Sequence, residues 1–221
     1  YGTPAGLAEA PRKRGTEGVR RSVTAHAGAA RAVLARRPDV AVVLLLSGLF
    51  WTAATVTHLY LQAAFTARGL SNSNIGLVVG ISLLLNAAGA ALLGRVAPRG
   101  RFARQFAGVA AVAGLGLAGT AAEHIVLAIG AYLVAQIAYG LGEPLLIAWF
   151  NRQVPSEQRA TILSLDSWIF SVVMIVVFPV AGAMAERLGW ATLYLACGAV
   201  TLALGAAVLV AARRHSRSGR V

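Results

Sequence analysis

The sequence predicts an all-α, polytopic membrane protein of six transmembrane helices, and three observations carry that expectation. The chain is 57% hydrophobic and only 13% charged, with a mean hydropathy of +0.69, whereas a soluble domain carries about a quarter charged residues. A spanning helix needs about 20 predominantly apolar residues, and such runs recur near 40–64, 74–94, 105–122, 125–150, 161–184 and 190–211. The loops between them are short and polar, "TARGLSNS" and "NRQVPSEQRA" among them. The 221 residues therefore divide into a basic arm or central loop over 1–38, a six-helix bundle over 39–212 and a basic tail over 213–221.

The excess of 20 Lys and Arg over 8 Asp and Glu gives a net charge of +12, a balance that raises nucleic acid as a partner. The placement of the charge argues for something else. Eight cations lie in the arm, from Arg12 to Arg37; Arg95, Arg99, Arg101 and Arg104 flank the second loop; Arg152 and Arg159 flank the fourth; and Arg213, Arg214, Arg217 and Arg220 end the chain. A six-span topology puts all of these on one side and only Arg68 and Arg187 on the other. Short basic loops stay cytoplasmic. Both termini are thus expected in the cytoplasm, with the bundle in a bacterial-style plasma membrane and no nucleic-acid partner.

The arm from Pro11 to Pro38 reads either as a helix lying on anionic lipid headgroups or as a solvated linker. Its start at Tyr1 and its lack of a signal-peptide core lead to the expectation of a fragment. The single Cys197 excludes an internal disulfide and a cysteine-based zinc site.

Along the spans, each helical residue advances about 100°, so a stripe recurs at spacings of three and four. Pro38 and Asp39 open the first span, Asp39 at the positive end of the helix dipole. Trp51, Thr55, His58 and Gln62 then fall within roughly 60° of arc. The second span sets Ser82 and Asn86 one turn apart. The third, "AGVAAVAGLGLAGTAA", has no polar side chain except Thr120.

In the fourth span Tyr132, Gln136, Tyr139 and Glu143 repeat the same narrow arc, and the fifth aligns Ser164, Ser167 and Ser171. The sixth has only threonines, Tyr194 and the Cys197 thiol. Pro144 and Pro179 lie within spans, and a proline there permits a kink. Gly140 and Gly142 precede Pro144, so the fourth helix is expected to bend beside Glu143.

Polar side chains at bilayer depth are costly unless they face protein or a water-filled cavity. The expectation is that the four striped helices surround a polar path. Trp51, Thr55, His58, Gln62, Asn86, Tyr132, Gln136 and Tyr139 would then contact a small-molecule substrate. The competing reading makes each stripe interhelical hydrogen-bonding glue.

The phrase "NRQVPSEQRATILSLDSWIFSVVMIVVFPVAGAMAERLGW" resembles the tenth-to-eleventh helix region of the major facilitator superfamily. The similar features are the Pro155-x-x-x-Arg159 loop, the following Ala160-Thr161 and Ser164, Pro179-x-x-Gly182, and Gly182-x-x-x-Glu186-Arg187-x-Gly189. "GLSNSNIGLVVG" over 69–80 looks like that family's turn into the eighth helix, and "LARRPDVAVVLLLSG" like the entry to the seventh. The loop "GRVAPRGRFAR" keeps Gly94, Arg99, Gly100 and Arg101 of the family pattern but has Pro98 at its acidic position.

The resemblance implies the C-terminal half of a transporter, six helices arranged as a 3+3 inverted repeat. The first, second, fourth and fifth helices would line or flank the cavity, with the third and sixth outside. It also implies alternating access against a missing N-terminal half, and efflux of a small molecule in exchange for protons. Glu143 and Asp166 are the candidates for proton coupling or gating, with Arg99, Arg101, Pro155 and Arg159 as the cytoplasmic-loop elements. Asp166 is expected to pair with Arg99, Arg101 or Arg104.

Two other classes remain beside it. One is a non-transporting scaffold or assembly subunit. The other is an intramembrane aspartyl protease using Glu143 and Asp166, whose carboxyls would have to approach closely to share a proton. Neither Gly-x-Ser-x-Gly nor His-Glu-x-x-His occurs in the sequence, and the expectation is a protein that is not an enzyme and needs no cofactor or metal.

Overall fold

The computed structural model describes residues 38–95, 102–154 and 156–218. The arm over 1–37, the loop residues Arg99 and Arg101, and Pro155 lie outside the described residues. Seven helices account for nearly all of the rest: α1 (Pro38–Leu59), α2 (Leu61–Thr66), α3 (Asn72–Arg95), α4 (Phe102–Gly119), α5 (Ile125–Gln153), α6 (Ser156–Leu188) and α7 (Trp190–Ser218). Six of them are long and apolar enough to cross a membrane, in the order and nearly the positions expected from the apolar runs. Both internal prolines sit inside unbroken helices, Pro144 in α5 and Pro179 in α6.

The first span departs from expectation. It does not run as one helix from 40 to 64 but breaks at Tyr60, leaving the short α2 beyond. The cause is tertiary. The Tyr194 hydroxyl donates to the Thr57 carbonyl at 3.1 Å, the acceptor that the Leu61 N–H would use in a continuous helix. A side chain inserted into that ladder is a recognised source of helix bends. Tyr60 itself turns to α6, stacking on Phe178 at 4.7 Å and donating its hydroxyl to the Phe178 carbonyl at 3.2 Å.

Close helix pairs run from α3 to α5, from α5 to α4 and from α4 to α7, with α6 packed on α7. Small residues make these approaches possible, since lipid supplies no hydrophobic drive between helices and packing must come from close backbone contact. A Cβ at Gly114 would meet the Gly198 carbonyl at 2.8 Å, and one at Gly198 would meet the Ala118 amide at 2.9 Å. On the other side of α4, a Cβ at Gly116 would meet the Ala131 carbonyl at 2.7 Å. Gly140 of α5 lies directly against the backbone of Asn86 on α3. This explains why α4 and α7 are plain: they are the glycine- and alanine-faced slabs of the bundle.

Turns and ends are satisfied locally. Gly189 alone joins α6 to α7 with φ +86°, a left-handed conformation that glycine adopts without a Cβ penalty. Arg68 reaches across to the end of α4 and donates to the carbonyls of Thr120 at 3.1 Å and Ala122 at 3.2 Å. Arg159 does the same for α5, donating to Asn151 at 2.9 Å and Val154 at 3.3 Å. A cation at a helix C-terminus meets unpaired carbonyls and the negative end of the dipole.

Replacing Gly140 with Ala should force a Cβ into the Asn86 backbone, which cannot swing aside. Overpacking of this kind costs about 1–3 kcal/mol. Thermal unfolding in detergent should show a lower midpoint for Gly140→Ala and no change for Gly130→Ala, whose Cβ would meet open space.

Candidate functional site

Most hydroxyls within the spans satisfy themselves. Thr52 donates to the Gly48 carbonyl at 2.7 Å, Thr57 to Ala53 at 2.8 Å, Thr120 to Gly116 at 3.0 Å and Thr201 to Cys197 at 2.8 Å. On α6, Ser167 donates to Leu163 at 3.2 Å and Ser171 to Ser167 at 2.9 Å. Such back-bonding to the preceding turn lets a hydroxyl sit at bilayer depth with no water beside it. A serine or threonine stripe is therefore weak grounds for a wet path.

The α5 stripe requires a correction. It was expected to face a water-filled crevice, yet Tyr132 and Tyr139 are fully buried and Gln136 is 7% exposed. Helices of the same bundle cover them. Tyr139 packs on Phe50 at 4.7 Å and near Trp51 at 6.3 Å, and its hydroxyl lies 3.3 Å from Thr201. Tyr132 meets His58 Nδ1 through its hydroxyl at 2.8 Å. Each tyrosine gives its ring to the core and its hydroxyl to one polar partner, which makes it well suited to burial.

Around that pair the structure gathers much of the predicted set. Asn86 donates from its amide to the Gln136 carbonyl at 3.3 Å, and the buried Ser82 stands one turn away from it on α3. His58 and Asn86 are half-buried, as are Trp51 and Thr55. Gln62 falls beyond the break, exposed on α2. The stripe on the first span is thus divided: its inner residues reach the α5 cluster and Gln62 does not share their helix.

The two candidate acids occupy different surroundings. Glu143 is exposed on α5, and the serines at 164, 167 and 171 are exposed on α6. Asp166 is half-buried on the opposite side of α6 from those serines. Of the arginines expected to pair with it, Arg99 and Arg101 lie outside the described residues and Arg104 is exposed on α4. Asp166 Oδ1 is buried without a hydrogen-bond partner.

By helix rise, Glu143 lies about 15 Å from the Gln153 end of α5, Asp166 about 15 Å from the start of α6, and Ser47 about 14 Å from the start of α1.

Four buried polar atoms among the described residues have no hydrogen-bond partner: Ser47 Oγ, Gln105 Oε1, Gln136 Nε2 and Asp166 Oδ1. Sequence reasoning missed Ser47, although it lies four residues before Trp51 and extends the stripe of α1 by one turn. It also missed the structural duties of Tyr60, Arg68 and Tyr194, which depend on contacts far apart in the chain and leave no local pattern.

The sequence model described as the Major Facilitator Superfamily matches residues 40–220. No protein of curated function matches the chain in direct comparison.

The His58–Tyr132 bond should appear as a coupling energy. Interhelical hydrogen bonds in membranes are worth about 0.6–2 kcal/mol. A double-mutant cycle of His58→Ala and Tyr132→Phe, read by unfolding in detergent, should give coupling in that range. The same cycle with Tyr139→Phe should be additive, because Tyr139 bonds to Thr201 instead.

Proposed function

The chain belongs to the Major Facilitator Superfamily, and from that premise we propose that it forms one wall of a secondary transporter exporting a small molecule in exchange for protons. Membership and the six apolar helices make it a multi-pass membrane transporter. The finer reading rests on the distribution of uncovered polar groups. Glu143 carries the argument: it projects from α5 uncovered by its own bundle, well inside a helix of 29 residues. A carboxylate is expensive against acyl chains and belongs where it meets water or other protein.

That face is the one we assign to the central crevice. The exposed serine row on α6 would join it, and α6 is the least covered span, with 11% of its apolar stretch buried against 56% for α1. A partner six-helix half, N-terminal in the same transporter, would supply the opposite wall and rock against this one about a midplane site. Substrate would then touch Thr55, Gln62, Asn86 and the edge of the His58–Trp51 surface. Tyr132, Gln136 and Tyr139 would shape that surface from behind. Both termini face the cytoplasm of a plasma membrane in this reading, and the lipid bilayer covers the remaining faces.

One observation favours a second reading. Burial of the α5 tyrosine stripe is what a non-transporting scaffold would show, because a scaffold has no need to leave a polar face open. Transport measurements separate the two. Proteoliposomes containing the full-length protein, loaded with pyranine, should report proton movement when ethidium is added as the probe substrate. Glu143→Gln should reduce that signal to the level of empty liposomes while leaving the unfolding midpoint unchanged. A signal equal to wild type in the variant would remove Glu143 from coupling, and none from the wild type would favour the scaffold.

A further inference from the structure

Burial decides the direction of the hydrogen bond between His58 and Tyr132. The Tyr132 hydroxyl lies 2.8 Å from His58 Nδ1, and the tyrosine is fully buried in a cluster with Leu61, Phe65 and Val78. A buried hydroxyl hydrogen left without an acceptor carries its whole desolvation cost. Among the described residues Nδ1 is the one group at hydrogen-bond distance from that hydroxyl, so the phenol donates and Nδ1 accepts. In a neutral imidazole with one nitrogen accepting, the other carries the hydrogen. His58 therefore keeps a single free donor, Nε2–H. That atom forms no hydrogen bond within the described bundle and is not one of the buried unpartnered atoms, so on this half-buried side chain it reaches the surface.

A second donor stands beside it. Of the three threonines of α1, Thr52 and Thr57 are buried and give their hydrogens to the carbonyls of Gly48 and Ala53. Thr55 is half-buried and, among the described residues, makes no such bond. It precedes His58 by three residues, which sets the two side chains on one helix face about 5–6 Å apart. One turn back on that face is Trp51, half-buried, with its ring edge-on to Phe50 at 5.6 Å.

We propose that His58 Nε2–H and the Thr55 hydroxyl bind acceptor oxygens of the transported molecule, and that Tyr132 is the positioning residue that holds the His58 donor in this form. The substrate class that fits is a flat-ringed compound bearing carbonyl or ether oxygens, with the Trp51 indole as the partner of its ring. A compound that brought only N–H groups here would set donor against donor, and one without oxygen would leave both donors unpaired. A metal ion does not fit, because the hydrogen on Nε2 occupies the lone pair that a metal needs. No group of three or more His, Cys, Asp or Glu side chains gathers among the described residues.

This assignment rests on the reading of the α1 surface as part of the transport crevice, but it can be tested apart from transport. Nitrogen NMR of the histidine-labelled full-length protein in nanodiscs should show the His58 proton on Nε2. Tyr132→Phe should move the Nδ1 resonance and Tyr139→Phe should not. Coumarin and naphthalene are flat rings of similar size, of which only coumarin carries oxygen. Measured against empty nanodiscs, the protein should bind coumarin roughly threefold to tenfold more tightly than naphthalene, and coumarin should shift the Nε2–H resonance. His58→Gln, whose amide nitrogen can replace Nε2, should keep the preference, and His58→Leu should lose it while still binding naphthalene. A wild-type proton on Nδ1, equal binding of the two rings or binding of neither, or a preference intact in His58→Leu would each overturn the proposal. If the resonances and the preference behave as expected while neither coumarin nor ethidium drives proton movement in proteoliposomes, the donor pair stands and the transport reading fails. If ethidium drives proton movement while the two rings bind alike, the donor pair alone fails.

Discussion

Within a bilayer every polar group that leaves water must find its partner inside the protein, because acyl chains offer none. That constraint organises this bundle. Backbone groups are consumed by long helices, most span hydroxyls donate to the preceding turn, and two arginines cap the carbonyls that helix ends leave over. Close approach follows from the same demand. Where Gly140 meets the Asn86 backbone and Gly114 meets Gly198, helices gain contact area that lipid cannot drive, and the polar links of Asn86 and Tyr139 come within reach.

The same constraint explains which parts of the structure can be read from the chain. Span number, order and approximate ends follow from apolar run length, a property of consecutive residues that tertiary contacts scarcely alter. The plainness of the third and sixth spans is likewise local, and it accompanies the close glycine and alanine contacts of α4 and α7. The break at Tyr60 is of another kind. Residues 40–64 carry no proline, and no glycine nearer to Tyr60 than Gly48. The interruption comes from Tyr194, 137 positions from its acceptor Thr57. No window of sequence contains both.

The α5 stripe shows the limit of periodicity more sharply. Spacing identifies the residues that share one face, and Tyr132, Gln136 and Tyr139 do share one. It does not say what lies opposite. A phenol can bury its ring and satisfy its hydroxyl with a single partner, so a tyrosine stripe suits a helix interface as well as a crevice. Glu143, on the same arc, is exposed although its neighbours Gly142, Leu145 and Leu146 are buried. The side chain with the highest desolvation cost is the one of the four left uncovered, and the two phenols are buried.

Unsatisfied atoms consequently discriminate better than polar stripes. A satisfied hydroxyl is explained by folding alone, whereas a buried carboxyl oxygen without a donor has a cost that folding does not repay. Ser47 Oγ, Gln105 Oε1, Gln136 Nε2 and Asp166 Oδ1 are such atoms among the described residues, and they mark where the bundle holds a polar group that helix packing alone does not account for.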